Sequence, residues 1–309
     1  MNEDERRRFE QVVARVAPGS RLVRAWRLEG GVSAEVTGLE IARPDGALEK
    51  ALVRRHGLAD LAANPNIAAD EYRLLESVYA AGLPAPEPLF LDTSCELFPT
   101  PYLVVEFIEG APEMAPADPL SFARELAAIL ARIHSVDWSG VDFAFLPRRV
   151  DRVARLLAER PAQLDERLSE SHIRAVLESR WPPTQGNAPR LLHGDFWPGN
   201  LLWRDGELAA IVDWEDAAWG DPLADLGNSR LEILWFFGPE AMDAFTDAYR
   251  ELLPDLNYAD LPLWDLYAAL RPAGKLWDWG LDPNDERRMV RLHRSFVEQA
   301  LARLTRRDR

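Results

Sequence analysis

Residues 190–214 are the one strand-rich stretch in the second two-thirds of the chain, where apolar residues otherwise recur at helical spacing. Two apolar runs, 201–203 and 208–212, flank Asp205-Gly206, a dipeptide typical of a two-residue hairpin turn. A hairpin returns the chain to its starting point. The residues just before its first strand and just after its second strand must therefore lie side by side.

Polar side chains stand at both ends of this predicted hairpin. Asp195 and Asn200 precede it, and Asp213 follows it. Carboxylate and amide oxygens suit a hard cation such as Mg²⁺. Phosphoryl transfer needs that cation on the nucleotide phosphates and a separate aspartate that accepts the proton of the attacking hydroxyl. We therefore predict Asn200 and Asp213 as metal ligands and Asp195 as the catalytic base.

The simpler interpretation is that Asp195 and Asn200 only cap a loop, as such residues commonly do. Two polar motifs in this order and spacing around a hairpin favour the catalytic interpretation. His193 lies on the same loop. We expect it to hold the backbone in place and not to transfer protons.

The rest of the chain divides at 110–119, a segment rich in proline and alanine. Before it, apolar patterns predict antiparallel strands and two helices, the strands near 21–28, 34–41, 51–55, 88–91 and 101–107 and the helices over 2–16 and 68–81. After it, helical periodicity covers 121–136, 150–179, 222–237, 239–253, 261–279 and 283–305. We predict an α+β fold with an N-terminal domain at 1–109 and a mainly helical domain at 110–309.

Composition excludes several classes of function. Hydrophobic residues make up 47% of the 309 and charged residues 28%, which is typical of a folded protein. No apolar run approaches the roughly 20 residues of a membrane span, and no signal peptide is recognisable, so we expect a cytoplasmic protein without a membrane partner. The single cysteine, Cys95, excludes an internal disulfide and a cysteine-based zinc cluster. The net charge of -15 disfavours nucleic acid and permits a cationic small molecule.

The pattern HGDFWPGNLLW at 193–203, followed by IVDWEDAAWGDPLADL at 211–226, resembles the aminoglycoside phosphotransferases and the related choline and homoserine kinase-like group. The resemblance implies a bilobal protein kinase-like fold with ATP, or GTP, between the lobes. It assigns Asp195 as the base and Asn200 and Asp213 to Mg²⁺. The implied reaction moves the γ-phosphate of ATP to a hydroxyl of an aminoglycoside-like or other small metabolite.

The same resemblance assigns residues of the N-terminal domain to the nucleotide. Gly30, Gly31 and Ser33 lie in a segment similar to the family's turn over the phosphates, where small residues let backbone amides approach oxygen atoms. Arg54 matches the cation on the ATP phosphates, and Glu71 matches its glutamate partner on the following helix. Arginine stands where lysine is commoner, and its planar fork can hold phosphate in a different geometry.

Other positions in this domain follow from strand geometry and from the resemblance. Glu106 and Ile108 belong to the connection between lobes, whose backbone receives the adenine ring. Lys50 shares a strand face with Arg54 and is a reserve candidate for the phosphate cation, whereas Arg55 is predicted to point to the opposite face and to be solvated.

In the C-terminal domain the resemblance places the acceptor pocket among the last helices. These helices carry a set of aromatic and acidic side chains: Glu232, Trp235, Phe236, Phe237, Asp265, Trp277, Asp278 and Trp279. Tryptophans at helical spacing are more often core, which is our expectation here. Asp221, Asp225 and His134 are expected to have structural roles, Asp221 as a helix cap.

Two other functions compete with an active kinase. A catalytically impaired kinase-like nucleotide-binding protein is favoured only by arginine at position 54 and is opposed by the intact Asp195, Asn200 and Asp213. A metal-dependent hydrolase would use His193, Asp195, Asp213 and His134. Such sites usually contain more histidine ligands, and the five histidines of this chain are scattered.

Overall fold

The computed structural model describes residues 2–28 and 34–307, and the chain separates into two compact units. The first comprises Met1–Ala111 and Leu201–Val212, and the second comprises Pro112–Asn200 and Asp213–Arg309. In the described ranges, no helix combines the length and apolar character that crossing a lipid bilayer requires.

The first unit is built on a five-stranded antiparallel sheet. Its strands follow the order β1-β2-β3-β5-β4, with bounds β1 Arg21–Arg27, β2 Ala34–Ala42, β3 Leu48–His56, β4 Pro88–Asp92 and β5 Tyr102–Glu106. The turn between β2 and β3 contains Gly46, whose φ of 89° is a left-handed conformation that glycine adopts without strain. All five strands predicted from the apolar patterns are therefore confirmed.

Three helices of the first unit connect or cover the strands: α1 Glu3–Val16, α2 Leu58–Ala63 and α3 Ile67–Ala80. The side chain of Asn2 caps α1 by accepting from the backbone N–H of Glu5. Phe9 and Val12 of α1 are fully buried in one apolar cluster with residues of the sheet, among them Val53. The short helix α2 was not predicted, because it buries no side chain and so carries no apolar periodicity.

Beyond residue 111 the chain forms short strands and longer helices. The strands are β6 Arg190–Leu192, β7 Leu201–Arg204, β8 Glu207–Ile211 and β9 Ala218–Gly220. β7 and β8 pair antiparallel around Asp205 and Gly206, both with positive φ, at 54° and 83°. This is the predicted hairpin, and its turn has the φ signs that an Asp-Gly turn favours.

The helices of the second unit are α4 Pro119–Ser135, α5 Arg149–Ala158, α6 Glu170–Arg180, α7 Leu223–Phe237, α8 Pro239–Leu252, α9 Leu261–Leu270 and α10 Pro283–Arg307. Their core contains the fully buried aromatic residues Trp235, Phe245 and Phe296, together with Trp264. A Cβ on Gly227 of α7 would lie 2.8 Å from the carbonyl oxygen of Trp264 on α9, so glycine permits these two helices to pack closely.

Two predicted helices are shorter than the periodicity indicated. The stretch 150–179 is two helices, because Pro161 lacks an N–H and disfavours helical backbone in the preceding residue. The stretch 261–279 is α-helical only to Leu270, Pro272 follows two residues later, and Leu276–Asp278 form a short 3-10 helix. Apolar spacing alone continues across such breaks, so it overestimated both helices.

Candidate active site

The loop that carries Asp195 begins where β6 ends and has a backbone that requires glycine. Gly194 has a φ of 87°, and a Cβ there would lie 1.9 Å from the carbonyl oxygen of Asp216. The carboxylate of Asp225 on α7 accepts from the backbone N–H groups of His193 at 2.7 Å and Gly194 at 3.0 Å. Asp225 therefore fixes the loop to the helical core.

Asp225 and His134 form a buried polar pair beneath this loop. Nε2 of His134 lies 3.3 Å from Oδ2 of Asp225, and its Nδ1 lies 2.6 Å from the Tyr249 hydroxyl. Burial alone would raise the pKa of Asp225, but the hydrogen bond and charge of His134 hold it below its ordinary value. Both residues have packing roles, as predicted. Asp221 likewise caps α7, since its Oδ1 accepts from the Leu223 N–H at 2.9 Å.

His193 is fully buried, and its ring lies 4.6 Å from that of Trp214. Its Nδ1 accepts from the backbone N–H of Asp195 at 3.3 Å. Its ring therefore supports the backbone that presents Asp195, the role expected of it.

Asp195 and Asn200 are in direct contact. The amide nitrogen of Asn200 donates to the backbone oxygen of Asp195 at 2.9 Å and to its Oδ2 at 3.3 Å. Because the amide nitrogen faces Asp195, the amide oxygen of Asn200 is the atom left for a cation.

Asp213 follows β8 at the other end of the hairpin. Leu201 pairs with Ile211 in the β7–β8 register, so the hairpin brings the chain next to Asn200 back beside Asp213. Asp213 has a φ of 65°, a left-handed conformation that aspartate tolerates better than most residues. Residues 2–28 and 34–307 contain no group of three or more histidine, cysteine, aspartate or glutamate side chains placed to bind a metal. One amide and one carboxylate fit Mg²⁺, which usually keeps water and phosphate oxygens as its other ligands.

The sequence did not predict Arg271, which follows α9 and lies against Asp195. Its Nη2 is 3.1 Å from Oδ1 of Asp195 and 3.2 Å from Oδ2 of Asp216, and its Nη1 donates to the amide oxygen of Asn228. Burial alone would lower the pKa of Arg271, but the charges of Asp195 and Asp216 raise it, so Arg271 remains cationic.

Two more arginines, both from α5, contact Asp216. Nη1 of Arg152 lies 3.1 Å from its Oδ1, and Nη2 of Arg149 donates to its backbone oxygen at 2.7 Å. Burial would raise the pKa of Asp216, but Arg271, Arg152 and Arg149 hold it below its ordinary value. We call Arg149, Arg152 and Arg271 the arginine cluster.

Helix α7 places further side chains near Asp195. Burial raises the pKa of Glu232 to about 8, the negative charge of Asp195 adds to the rise, and Arg271 opposes it. Phe236, one turn later, stacks on Trp197 of the Asp195 loop, with ring centroids 5.5 Å apart. A Cβ on Gly199 would lie 2.2 Å from the Trp197 ring, so glycine makes room for that ring.

Two other residues of the last helices, Trp235 and Asp265, serve packing, whereas Asp278 and Trp279 are exposed. Trp235 is fully buried and donates its indole N–H to the Met289 carbonyl at 3.0 Å, as expected of a core residue. Asp265 is buried against Arg230 at 3.0 Å. Trp279 is 46% exposed, so it departs from the core position expected of the tryptophans.

In the first unit, Arg54 of β3 and Glu71 of α3 are brought together as predicted, with Nε of Arg54 3.3 Å from Oε1 of Glu71. The other carboxylate oxygen lies 2.7 Å from Nε2 of His56, a partner that was not predicted. Burial would raise the pKa of Glu71, but the charge of Arg54 and the hydrogen bond of His56 hold it below its ordinary value.

Arg55 corrects one expectation. It was predicted to be solvated, but only 13% of its side chain is exposed. Its guanidinium lies over the Phe98 ring at 4.4 Å and pairs with Glu35 at 2.6 Å. An arginine can bury its stem and stack its planar head on an aromatic ring, so alternation along a strand did not predict its exposure. Lys50 pairs with Glu109 at 2.5 Å.

The remaining nucleotide positions lie at the end of β5 and outside the described residues. The backbone N–H of Glu106 donates to the Glu87 carbonyl at 2.8 Å, and Oε2 of the Glu106 side chain accepts from the Glu87 N–H at 3.4 Å. Ile108 follows β5 in chain without regular secondary structure and is half-buried. The predicted Gly30, Gly31 and Ser33 lie outside the described residues.

A weak signal existed for some of the contacts that were missed. Asp216 lies within the second motif, three residues after Asp213, and is acidic in a short 3-10 turn. Arg271 and His56 had no such signal, because their partners are 76 and 15 residues away in sequence.

A family model described as the phosphotransferase enzyme family matches residues 28–270. The chain belongs to this phosphotransferase family. The match includes Arg54, Glu71 and the whole stretch that carries Asp195, Asn200 and Asp213. The resemblance to aminoglycoside phosphotransferases is thereby confirmed.

Curated relatives of this chain include proteins of different names. "Acyl-CoA dehydrogenase family member 11" of Gallus gallus is 26% identical over 198 residues, which are 60% of this chain and 25% of that protein. The chain thus spans about a quarter of the vertebrate relatives' length. "Homoserine kinase" of Methylocella silvestris is 27% identical over 226 residues, which are 67% of this chain and 68% of that protein.

Solved structures show the fold. An aminoglycoside phosphotransferase in complex with GDP and kanamycin superimposes with a TM-score of 0.64 at 16% identity, and covers 95% of this chain and 98% of that one. The predicted α+β, kinase-like fold, with an antiparallel N-terminal sheet and a mainly helical C-terminal part, is therefore confirmed.

Proposed function

We propose that this phosphotransferase is a small-molecule kinase that transfers the γ-phosphate of ATP to a hydroxyl group. One observation carries the proposal. The carboxylate of Asp195 is held in a fixed orientation, its Oδ2 accepting from Asn200 at 3.3 Å and its Oδ1 from Arg271 at 3.1 Å. A carboxylate held at both oxygens, and still 32% exposed, suits a general base that must meet an incoming hydroxyl.

The reaction that we propose is a single displacement. The acceptor oxygen attacks the γ-phosphorus while its proton passes to Asp195. The bond from the γ-phosphorus to the bridging oxygen breaks, and its electron pair leaves with ADP. Asn200 and Asp213 would hold Mg²⁺, which neutralises charge on the phosphates when it is bound.

The first unit contributes the charged pair of Arg54 and Glu71 to this proposal. Glu71 fixes the direction of the Arg54 guanidinium, which would pair with the nucleotide phosphates. The backbone of Glu106 and Ile108 would receive the base. In the described ranges, no residue donates to or accepts from the backbone of Ile108, so both of its polar groups are available.

The names and ligands of related proteins give the first indication of the acceptor class. The Methylocella silvestris protein is named for homoserine, an alcohol, and a structural neighbour holds kanamycin. We therefore propose a small alcohol as acceptor, an amino sugar or another metabolite. A catalytically impaired nucleotide-binding protein is the alternative that Arg54 permits, and Asp195, Asn200 and Asp213 oppose it.

The test is magnesium-dependent stabilisation by ATP or GTP in a thermal shift assay, followed by ADP release with a panel of alcohols. Nucleotide binding without turnover of any acceptor would favour the impaired protein, and no nucleotide response at all would refute the kinase. Asp195→Asn should lower turnover about 10³-fold and leave nucleotide affinity within about threefold. Asp205→Asn, at the exposed hairpin tip, is the matched control and should be silent. Loss of metal-dependent binding in Asp195→Asn would contradict its assigned role.

A further inference from the structure

Three arginines, Arg149, Arg152 and Arg271, gather at Asp195 and Asp216, although the whole chain carries a net charge of -15. Arg271 pairs with the carboxylates of Asp195 and Asp216, Arg152 pairs with that of Asp216, and Arg149 donates to the Asp216 backbone oxygen. Asp225 lies on the buried side, where two backbone amides and His134 already satisfy it. Arg271 and Arg152 therefore lie beside Asp195, where the acceptor of the proposed reaction would bind.

The arginine cluster and its neighbour Asn228 also have hydrogen-bond donors without an acceptor. Both hydrogen bonds of the Arg152 side chain use Nη1, and in the described part of the chain its Nε and Nη2 have no partner. Nε of Arg149 and the amide nitrogen of Asn228 are buried donors without a partner in the same ranges. Burial and repulsion from Arg149 lower the pKa of Arg152, as expected of an incompletely neutralised cation.

Two of the arginines can be reached from solvent. The side chain of Arg152 is 33% exposed and that of Arg271 is 23% exposed, similar to the 32% of Asp195. Arg149 is buried, so it adds charge to the site without meeting a ligand. A small molecule whose hydroxyl meets Asp195 can therefore place a second group against Arg152 and Arg271.

The carboxylates of Asp195, Asp216 and Glu232 are poorly suited to pair with an ammonium group of the acceptor. Asp195 and Asp216 are already paired with arginine. Glu232 has no hydrogen-bond or ion-pair partner in the described ranges, and its pKa of about 8 leaves it mostly neutral at pH 7. A neutral carboxyl can donate a hydrogen bond to a ligand, but it gives an ammonium group no ionic partner.

We propose that the acceptor is an anionic alcohol, whose carboxylate or phosphate pairs with Arg152 and Arg271 while its hydroxyl faces Asp195. This rests on the proposed kinase function. The acceptor oxygen forms the new bond to the γ-phosphorus, its proton goes to Asp195, and ADP leaves with the electron pair of the broken bond. The arginines take no part in these bond changes, and they bind and orient the acceptor.

The experiment compares alcohols of equal length that differ only in charge. Hydroxy acids of three to six carbons, their amides and the corresponding amino alcohols are assayed by ADP release, with hydroxyl-bearing phosphate monoesters as a separate arm. We expect the acids or the monoesters to exceed amides and amino alcohols at least 50-fold in kcat/KM, and the arm that is active identifies the anion. Preference for the amino alcohols or the amides overturns the proposal.

A pair of variants on one helix tests the residue assignment. Arg152→Gln should raise KM for the anionic acceptor about 10- to 100-fold, the loss expected for one charged hydrogen bond, and Arg152→Lys should recover part of it. Neutral analogues should show no such loss. Arg155→Gln, an exposed change three residues later on α5, should stay within twofold. Equal losses for anionic and neutral acceptors would indicate a merely structural role and would refute the assignment.

A thermal shift assay distinguishes failure of the proposed kinase function from failure of the proposed anionic acceptor. Without any Mg²⁺-dependent nucleotide response, the kinase function itself fails. With a nucleotide response, but with neither turnover of nor stabilisation by any hydroxy acid or monoester, only the anionic acceptor fails.

Discussion

Oε2 of Glu71 lies 2.7 Å from Nε2 of His56 in the interior of the first unit. The other carboxylate oxygen faces Arg54 at 3.3 Å, so one buried carboxylate serves two cationic or donor groups. Glu71→Gln removes the negative charge that Arg54 and His56 both face. We expect a loss of about 2–3 kcal/mol in the free energy of unfolding at pH 7, measured by chemical denaturation.

The control for this change is Glu35→Gln. Glu35 pairs with Arg27 and Arg55, but 39% of its side chain is exposed, so its loss should stay near or below about 1 kcal/mol. The pH dependence adds a second check, because the pKa of Glu71 is lowered on folding. Its stabilisation is complete above its unfolded pKa, near 4.5, and is lost as pH falls through the lower folded value. Wild type and Glu71→Gln should therefore converge in stability on acidification, and parallel curves would contradict the assignment.

Arg54 and Arg55 are neighbours on β3 with different surroundings, and they form a matched pair for nucleotide binding. Arg54→Ala should raise KM for ATP about 10- to 100-fold, because a charged contact to phosphate is worth about 1.5–3 kcal/mol. Arg54→Lys should keep most of the affinity, since it keeps the charge. Arg55→Ala loses its contacts with Glu35 and Phe98, so it should lower stability and leave KM nearly unchanged. Equal KM effects in both alanine variants would refute the role of Arg54.

The part of this architecture that could be predicted from sequence is the part specified by neighbouring residues. The hairpin of β7 and β8 followed from two apolar runs around Asp205-Gly206, and its register brings the chain next to Asn200 back beside Asp213. Asn200 meets Asp195 only five residues away, within one loop. Turn chemistry and short-range spacing are sufficient to specify contacts of this kind.

Contacts that depend on packing could not be predicted. Arg271 reaches Asp195 across 76 residues in sequence, and it follows α9, which packs closely against α7. Arg55 is covered because Phe98, far along the chain, supplies a ring beneath its guanidinium. The helices that end early show the opposite error, because they were predicted to be longer than they are. Apolar periodicity continues across Pro161, but a helical backbone does not.

Glu232 should make the protein less stable as pH rises. Its folded pKa of about 8 exceeds the ordinary value of 4.5, because burial and the charge of Asp195 disfavour its ionised form. Between these values the folded state holds a proton that the unfolded state releases, so the free energy of unfolding falls across that window. The expected fall is on the order of 2 kcal/mol between pH 5 and pH 8.

Glu232→Gln should abolish this decline, and the variant should be more stable than wild type at pH 8–9. Glu298→Gln, an exposed change on α10, should follow the wild-type curve. Thermal or chemical denaturation at several pH values measures all three proteins. A wild-type stability that does not fall between pH 5 and pH 8 relative to Glu232→Gln would contradict the proton on Glu232.

Gly194 and Gly206 have almost the same backbone φ. Replacing each by alanine therefore distinguishes the cost of backbone strain from the cost of a steric conflict at the Asp195 loop. Gly194 and Gly206 have φ of 87° and 83°. A Cβ on Gly206 would meet nothing within 4 Å, so Gly206→Ala should cost only the left-handed strain, about 1–2 kcal/mol. A Cβ on Gly194 would lie 1.9 Å from the Asp216 carbonyl oxygen, which Arg149 also holds.

Because that neighbour is backbone, the Asp195 loop must move to admit Gly194→Ala. We expect this variant to lose more than about 3 kcal/mol of stability, or to fold with turnover reduced at least 100-fold, since a displacement of about 1 Å at a base is enough for such a loss. Denaturation curves and ADP release, measured on both glycine variants, compare the two positions directly. Gly194→Ala behaving like Gly206→Ala would mean that the close approach to Asp216 does not position the candidate base.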